Sequence, residues 1–200
     1  MEDVRELKEV LKRVEGKLIA AEKIYAALNF GIWLVAMSAF FVLLDALELG
    51  RVGSALYWGA AMAVGIYASA RLWKRVATIK GIPGGGKKTG AGIALSWAIG
   101  SIVGWFVVPS VSAIGVSEDA RFAVGFLVFI GLSLFGEWLA IGRKSREYEM
   151  IPSFLLPLLG IPVAWNIEEA AILWAGFLVA ASYGITIILY LYSAFKAIER

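Results

Sequence analysis

Marked only by whether each position is apolar or polar, the chain divides into six long apolar stretches separated by short charged turns, with an alternating stretch ahead of them. A hydrocarbon layer about 30 Å thick is crossed by roughly 20 apolar residues of helix, each rising about 1.5 Å. Tyr25 to Leu44, Val52 to Ala70, Ala91 to Pro109, Ala120 to Ile141, Met150 to Trp165 and Ala170 to Phe195 meet or approach that length. They predict an all-α fold, a polytopic membrane bundle of six transmembrane helices filling residues 25–196. The sixth is long enough to tilt or to project past the lipid.

In front of the bundle, Val4, Leu7, Leu11, Val14, Leu18, Ala21 and Tyr25 recur three and four residues apart. That spacing lays one apolar stripe along a helix. Charges such as Glu9 and Arg13 fall on the opposite face as helical neighbours. Residues 1–24 are therefore expected as an N-terminal amphipathic helix, cytoplasmic or interfacial, with its lysines near anionic head groups. Such a stripe also supports docking to a cytosolic partner or to a second copy of the chain, although three heptads are short for a coiled coil.

Composition agrees with lipid as the solvent: 60% of residues are hydrophobic and 18% charged, and the mean hydropathy is +0.78. The first residues are charged and helical in pattern, so no removable signal peptide is expected and the first span acts as the insertion signal. Charge adds orientation. Of the 19 Lys and Arg residues, only Arg51 and Arg121 fall in the turns of one side; the rest collect on the other. The positive-inside rule makes that second side cytoplasmic, with both termini on it. The expected location is the cell membrane, multi-pass, with the bilayer as first partner and no nucleic acid.

The inventory then removes most chemistry. Cys, His and Gln are absent and Asn occurs only at Asn29 and Asn166, which excludes disulfides, thiolate catalysis, imidazole ligation and zinc sites built on His or Cys. Scarcity of heat-labile side chains also fits a thermophile. Gly131-Leu132-Ser133 resembles the serine turn of rhomboid proteases, but the His those enzymes need is missing. No enzyme activity, no cofactor and no metal site is read from these residues.

Several motifs have more than one use. The run from Gly81 to Thr89 has P-loop glycines, yet Lys88 stands where Ser or Thr must follow the lysine. It is expected as a flexible linker over residues 80–90. Small residues at Gly65, at Ser96, Gly100 and Gly104, and at Gly176, Ala180 and Gly184 recur every fourth position in three spans. They predict close helix packing where lipid leaves little hydrophobic force between helices. The fifth stretch contains Pro152, Pro157 and Pro162. Its interior prolines free carbonyls that lipid cannot satisfy, so the stretch reads as a kinked structural helix shielded by its neighbours, as a broken helix lining a path, or as a re-entrant loop. Glu137 is the one acid expected inside a span, where an ionisable group is costly; it reads as a snorkelling or interhelical hydrogen-bonding carboxylate or as a site that handles a proton or cation. Trp58, Trp73, Trp138 and Trp165 read as interfacial anchors.

Two functional readings follow. The first is a transport-type, permease-like membrane subunit with a path near the broken fifth helix, its candidates Glu137, Pro157, Pro162 and Asn166. In gross layout the chain is similar to permease subunits of the type-2 ABC exporter class. The resemblance implies that the basic segment of Arg71, Lys74, Arg75, Lys80, Lys87 and Lys88 contacts a separate cytosolic ATPase. The second is a scaffold that recruits cytoplasmic proteins or anionic lipids through its N-terminal helix and the same basic segment.

Overall fold

The computed structural model describes residues 2–47, 50–79, 87–111, 117–145, 147–167 and 169–199, and their regular structure is entirely helical. Helix α1 runs from Glu2 to Ala46 without interruption. The amphipathic stretch and the first apolar stretch, expected as two elements parting after residue 24, are thus one rod. No proline lies within it to end a helix. Its 45 residues reach about 67 Å at the standard rise, more than twice the hydrocarbon thickness.

Helix α2 is Arg51–Ile79, and α3 is Lys87–Ile102, followed by a π turn at Val103–Val107 and the short α4, Val108–Val111. Residues 87–90, assigned above to the linker, open α3; residues 80–86 lie outside the described residues. The glycine run that suggested a linker stops at Gly86, and Lys-Lys-Thr has ordinary helix propensity. The π turn has a cause in Pro109, which donates no backbone hydrogen bond and crowds the carbonyl one turn back. The Val108 N–H reaches Val103 O instead, widening the turn ahead of it.

Helix α5, Glu118–Ser145, leads through a 3-10 turn at Tyr148–Met150 into α6, Ile151–Trp165, and the chain ends in α7, Ala171–Ile198. Of the readings open for the fifth stretch, the structural helix shielded by its neighbours is the one seen: α6 continues through Pro157 and Pro162. Neighbours hold it. Gly131 of α5 lies against Leu158, and Gly160 receives Leu178 and Trp174 of α7. At its end Asn166 Nδ2 donates to Pro162 O at 2.7 Å.

Five segments of the described residues are long and apolar enough to cross a membrane: Val4–Leu44, Thr89–Ser110, Glu118–Ile141, Tyr148–Trp165 and Ala171–Ile198. Helix α2, expected as the second span, has the length, but Gly, Ser, Tyr and Trp dilute its apolarity. Central α5 packs on α3, α6 and α7, while α1 lies along α7 and carries α2 on another face. The core is built on Leu127 and Ile130 of α5 with Val179, Tyr183 and Tyr190 of α7. Helices α1 and α7 are antiparallel, with Gly16 against Ala197 and Gly176 against Phe41, so the two terminal segments share one end of the bundle.

Candidate functional site

Among the described residues, that shared end brings several largely buried ionisable groups together. Beyond α5, the Glu147 carbonyl accepts from the Met150 N–H at 3.2 Å and from Trp138 Nε1 at 3.0 Å. The two bonds fold the connection inward as a 3-10 turn. Trp138, expected as an interfacial anchor, thereby serves as a strut. The turn leaves Glu147 only 7% exposed. Tyr190 of α7 answers it, donating its hydroxyl to Glu147 Oε2 at 2.5 Å, a length typical of the strong bonds between a hydroxyl and a carboxylate.

Glu149, two residues on, pairs with Lys23 of α1 at 3.0 Å. Ser193 of α7 also hydrogen-bonds Glu149, and the Lys23 ammonium stands 5.3 Å from the centre of the Tyr190 ring. One cation therefore serves one carboxylate and one ring face, the second being worth about 0.5–2 kcal/mol. Phe30 walls the site, edge-on to Tyr183 and stacked on Tyr190.

Deeper in the bundle Glu137 of α5 accepts from Trp97 Nε1 of α3 at 2.8 Å. Tyr183 and Tyr190 of α7 and the Glu147 side chain are its ionisable neighbours. Among the described side chains, neither Glu137 nor Glu147 has an ion-pair partner. Past them the polar atoms continue without protein partners: Ser133 Oγ, one turn along α5, Thr186 Oγ1, one turn along α7, and Asn29 Oδ1, next to Phe30 in α1, are all buried and unbonded. Buried polar atoms of this kind are ordinarily satisfied by water. Three acids do not converge tightly enough to chelate a metal ion among the described residues. Hydroxyls and carboxylates in hydrogen-bond contact, as Tyr190 and Glu147 are, can exchange protons.

Of the residues singled out from sequence, Glu137 is in this cluster. Pro157 is buried on α6, whereas Pro162 and Asn166 are exposed at its far end. The basic candidates Arg71, Lys74 and Arg75 are exposed on α2. Arg71 donates to Tyr67 at 3.4 Å. Lys80 lies outside the described residues, and Lys87 and Lys88 are the first positions of α3. The small-residue stripes divide. A Cβ on Gly65 would stand 2.8 Å from Trp33, one on Gly100 would run into Ser133, and one on Gly104 would stand 2.5 Å from Gly125 O. Ser96 packs on Gly136, Gly176 takes the Phe41 ring, Ala180 is half-buried, and Gly184 faces open space. A shallow groove of about 310 Å³ follows the α3–α5 seam past Ser96, Leu132 and Gly136.

Lys23, Glu147, Glu149 and Tyr190 escaped the sequence reading. Glu147 and Glu149 follow Arg143, Lys144 and Arg146 and pass for part of a solvated turn. The signal available was their position directly ahead of an apolar run, where a turn is drawn into the bundle. The far end has a smaller polar feature: Asp119 Oδ2 accepts from the Ile172 N–H at 3.4 Å, capping α7 just after Ala170, whose φ is 58°. No protein-family model, curated protein or solved structure matches the chain.

Proposed function

We propose that the chain is a transport-type membrane protein whose buried glutamates and tyrosines form the cytoplasmic half of a proton path across the membrane. The observation that carries this reading is Glu147, a sealed carboxylate bonded by Tyr190 at 2.5 Å and lacking a cation of its own among the described side chains. Ionisable groups held at membrane depth are costly and serve relays. Here Lys23 and Glu149 form the outer station, Tyr190 and Glu147 the middle one, and Glu137 with Trp97 the inner one. The unbonded Ser133, Thr186 and Asn29 extend the polar line along α1, α5 and α7, away from Pro157. The topology belonging to this reading has six crossings with both termini cytoplasmic, an arrangement that the bias of Lys and Arg supports. If a separate ATPase drives the protein, as the permease-like layout implies, Arg71, Lys74 and Arg75 form its exposed contact face.

The test is proton flux into liposomes driven by a valinomycin-set potassium potential and read with an enclosed pH dye. Wild-type vesicles should acidify faster than empty ones, with the protein-dependent rate falling at least about tenfold in Glu147→Gln and Tyr190→Phe and unchanged in Pro157→Ala. Vesicles no leakier than empty ones, or variants equal to wild type, end the proposal. The scaffold reading draws on a different observation, the exposed basic end of α2 together with the exposed start of α1. Absence of flux combined with loss of a co-purifying protein on deleting residues 2–23 would favour it.

A further inference from the structure

The apolar stripe that opens α1 is not used within the chain. Val4 is 72% exposed, Leu7 and Leu11 are 60%, Val14 48% and Leu18 45%. The opposite face is held: Gly16 lies against Ala197, Ala20 packs with Ala194 and Ala197, and Lys23 is tied to Glu149. These contacts keep α1 parallel to the bundle axis up to Gly16, so this part of the helix does not lie flat on a membrane. Residues before Gly16 continue the rod beyond the last turns of α7. An apolar row there has neither lipid nor its own chain to cover it, and water is a poor partner for it.

We infer that a second copy of the chain covers this row, the two α1 helices forming a parallel coiled coil at the end of the bundle. Assigning Val4, Leu11 and Leu18 to position a and Leu7 and Val14 to position d gives an unbroken heptad stripe. The same register continues into the membrane-crossing part of α1 through Leu28, Val35 and Val42, which are 51%, 69% and 65% exposed. Helices α7 and α2 occupy the other faces of α1, as Gly16 and Ala20 against α7 and Trp33 and Phe40 against α2 indicate. Parallel pairing follows from the membrane: two copies inserted with one polarity are related by a two-fold axis along the bilayer normal, which sets α1 beside α1 in register.

Charge selects the same occupant. In a parallel pair each position g faces position e of the following heptad on the other helix. The register sets Lys17 opposite Glu22 of the second copy, an attractive pair, and sets Val10 opposite Glu15 without conflict. The Arg5–Glu9 pair, with 85% and 72% of its side chains exposed, falls at positions b and f, the solvated back of such a coil.

Because the chain contains no cysteine, single-cysteine variants of the full protein give a direct test in native membranes. Under copper-phenanthroline oxidation, Leu7→Cys and Val14→Cys should yield disulfide-linked dimers, and Glu9→Cys, on the outer face, several-fold less. Light scattering in detergent should give twice the chain mass for wild type and one chain mass for Leu11→Glu, whose side chain contributes nothing to the fold of a single copy. A monomeric wild type, or cross-linking at Glu9→Cys as fast as at Val14→Cys, overturns the inference. So does a bimane label on Leu11→Cys that reports lipid without a cross-linked dimer, or a mass that doubles only with a different protein bound.

Discussion

A lysine ammonium set between a carboxylate and an aromatic ring is held by partners that cannot easily follow it into water. Lys23 and Glu149 keep only 14% of their side chains exposed, so removing one leaves the other charged and stranded. Lys23→Met should destabilise the protein by about 3–5 kcal/mol, most of which returns in Lys23→Met with Glu149→Gln, because a neutral pair strands nothing. Thermal unfolding in a mild detergent, followed by helical circular dichroism, measures both, and a double variant no better than the single would show that Lys23 acts through packing alone. Sequence reading found Glu137 because an acid in an apolar run stands out. It missed this pair because Lys23 and Glu149 lie far apart along the chain and each is surrounded by other charges. Only the antiparallel run of α1 on α7, and the turn pinned by Trp138, brings them together.

Among the helices, apolar length proved a good guide to existence and a poor one to boundaries. Each apolar stretch became helix, but α1 swallowed its amphipathic leader, α3 began inside the expected linker, and α6 stayed whole through two prolines. Local propensity announces stops such as proline and glycine, whereas neighbours decide whether a stop takes effect. The same limit applies to small-residue stripes, which mark close approach without saying which members are used. Where the π turn after α3 meets α5, Gly104 and Gly125 lie backbone to backbone, each 2.5 Å from the other's carbonyl were a Cβ added, while Gly184 of α7 has nothing within 4 Å. Gly104→Val should therefore force the two helices apart and cost about 1–3 kcal/mol. Gly184→Ala should be neutral or stabilise by up to about 1 kcal/mol through helix propensity. Chemical unfolding of the two variants side by side separates a used contact from an unused one, and equal losses would remove the contact with α5 as the reason for the spacing.

For the whole molecule, crossing number is constrained by parity. Five segments are long and apolar enough to cross, yet an odd number of crossings puts the two ends of the chain on opposite faces, and Gly16 of α1 touches Ala197 of α7. Counting α2 as a sixth crossing reconciles the two, and nothing in its length forbids it: 29 residues rise about 43 Å. Its weak apolarity is tolerable because Gly65 seats on Trp33 and Tyr57 donates its hydroxyl to Ala36 O of α1 at 2.5 Å, which takes a polar group out of contact with lipid. The expectation can be checked with an impermeant maleimide on intact cells, using the cysteine-free chain as background. Leu47→Cys and Glu169→Cys should react from outside, and Arg13→Cys and Lys74→Cys only after lysis. Equal reactivity of positions 47 and 74 would mean that α2 does not cross. Labelling of Arg13→Cys in intact cells would invert the orientation and place the Lys23, Glu147 and Glu149 cluster at the outer face, where it would meet the external rather than the cytoplasmic proton pool.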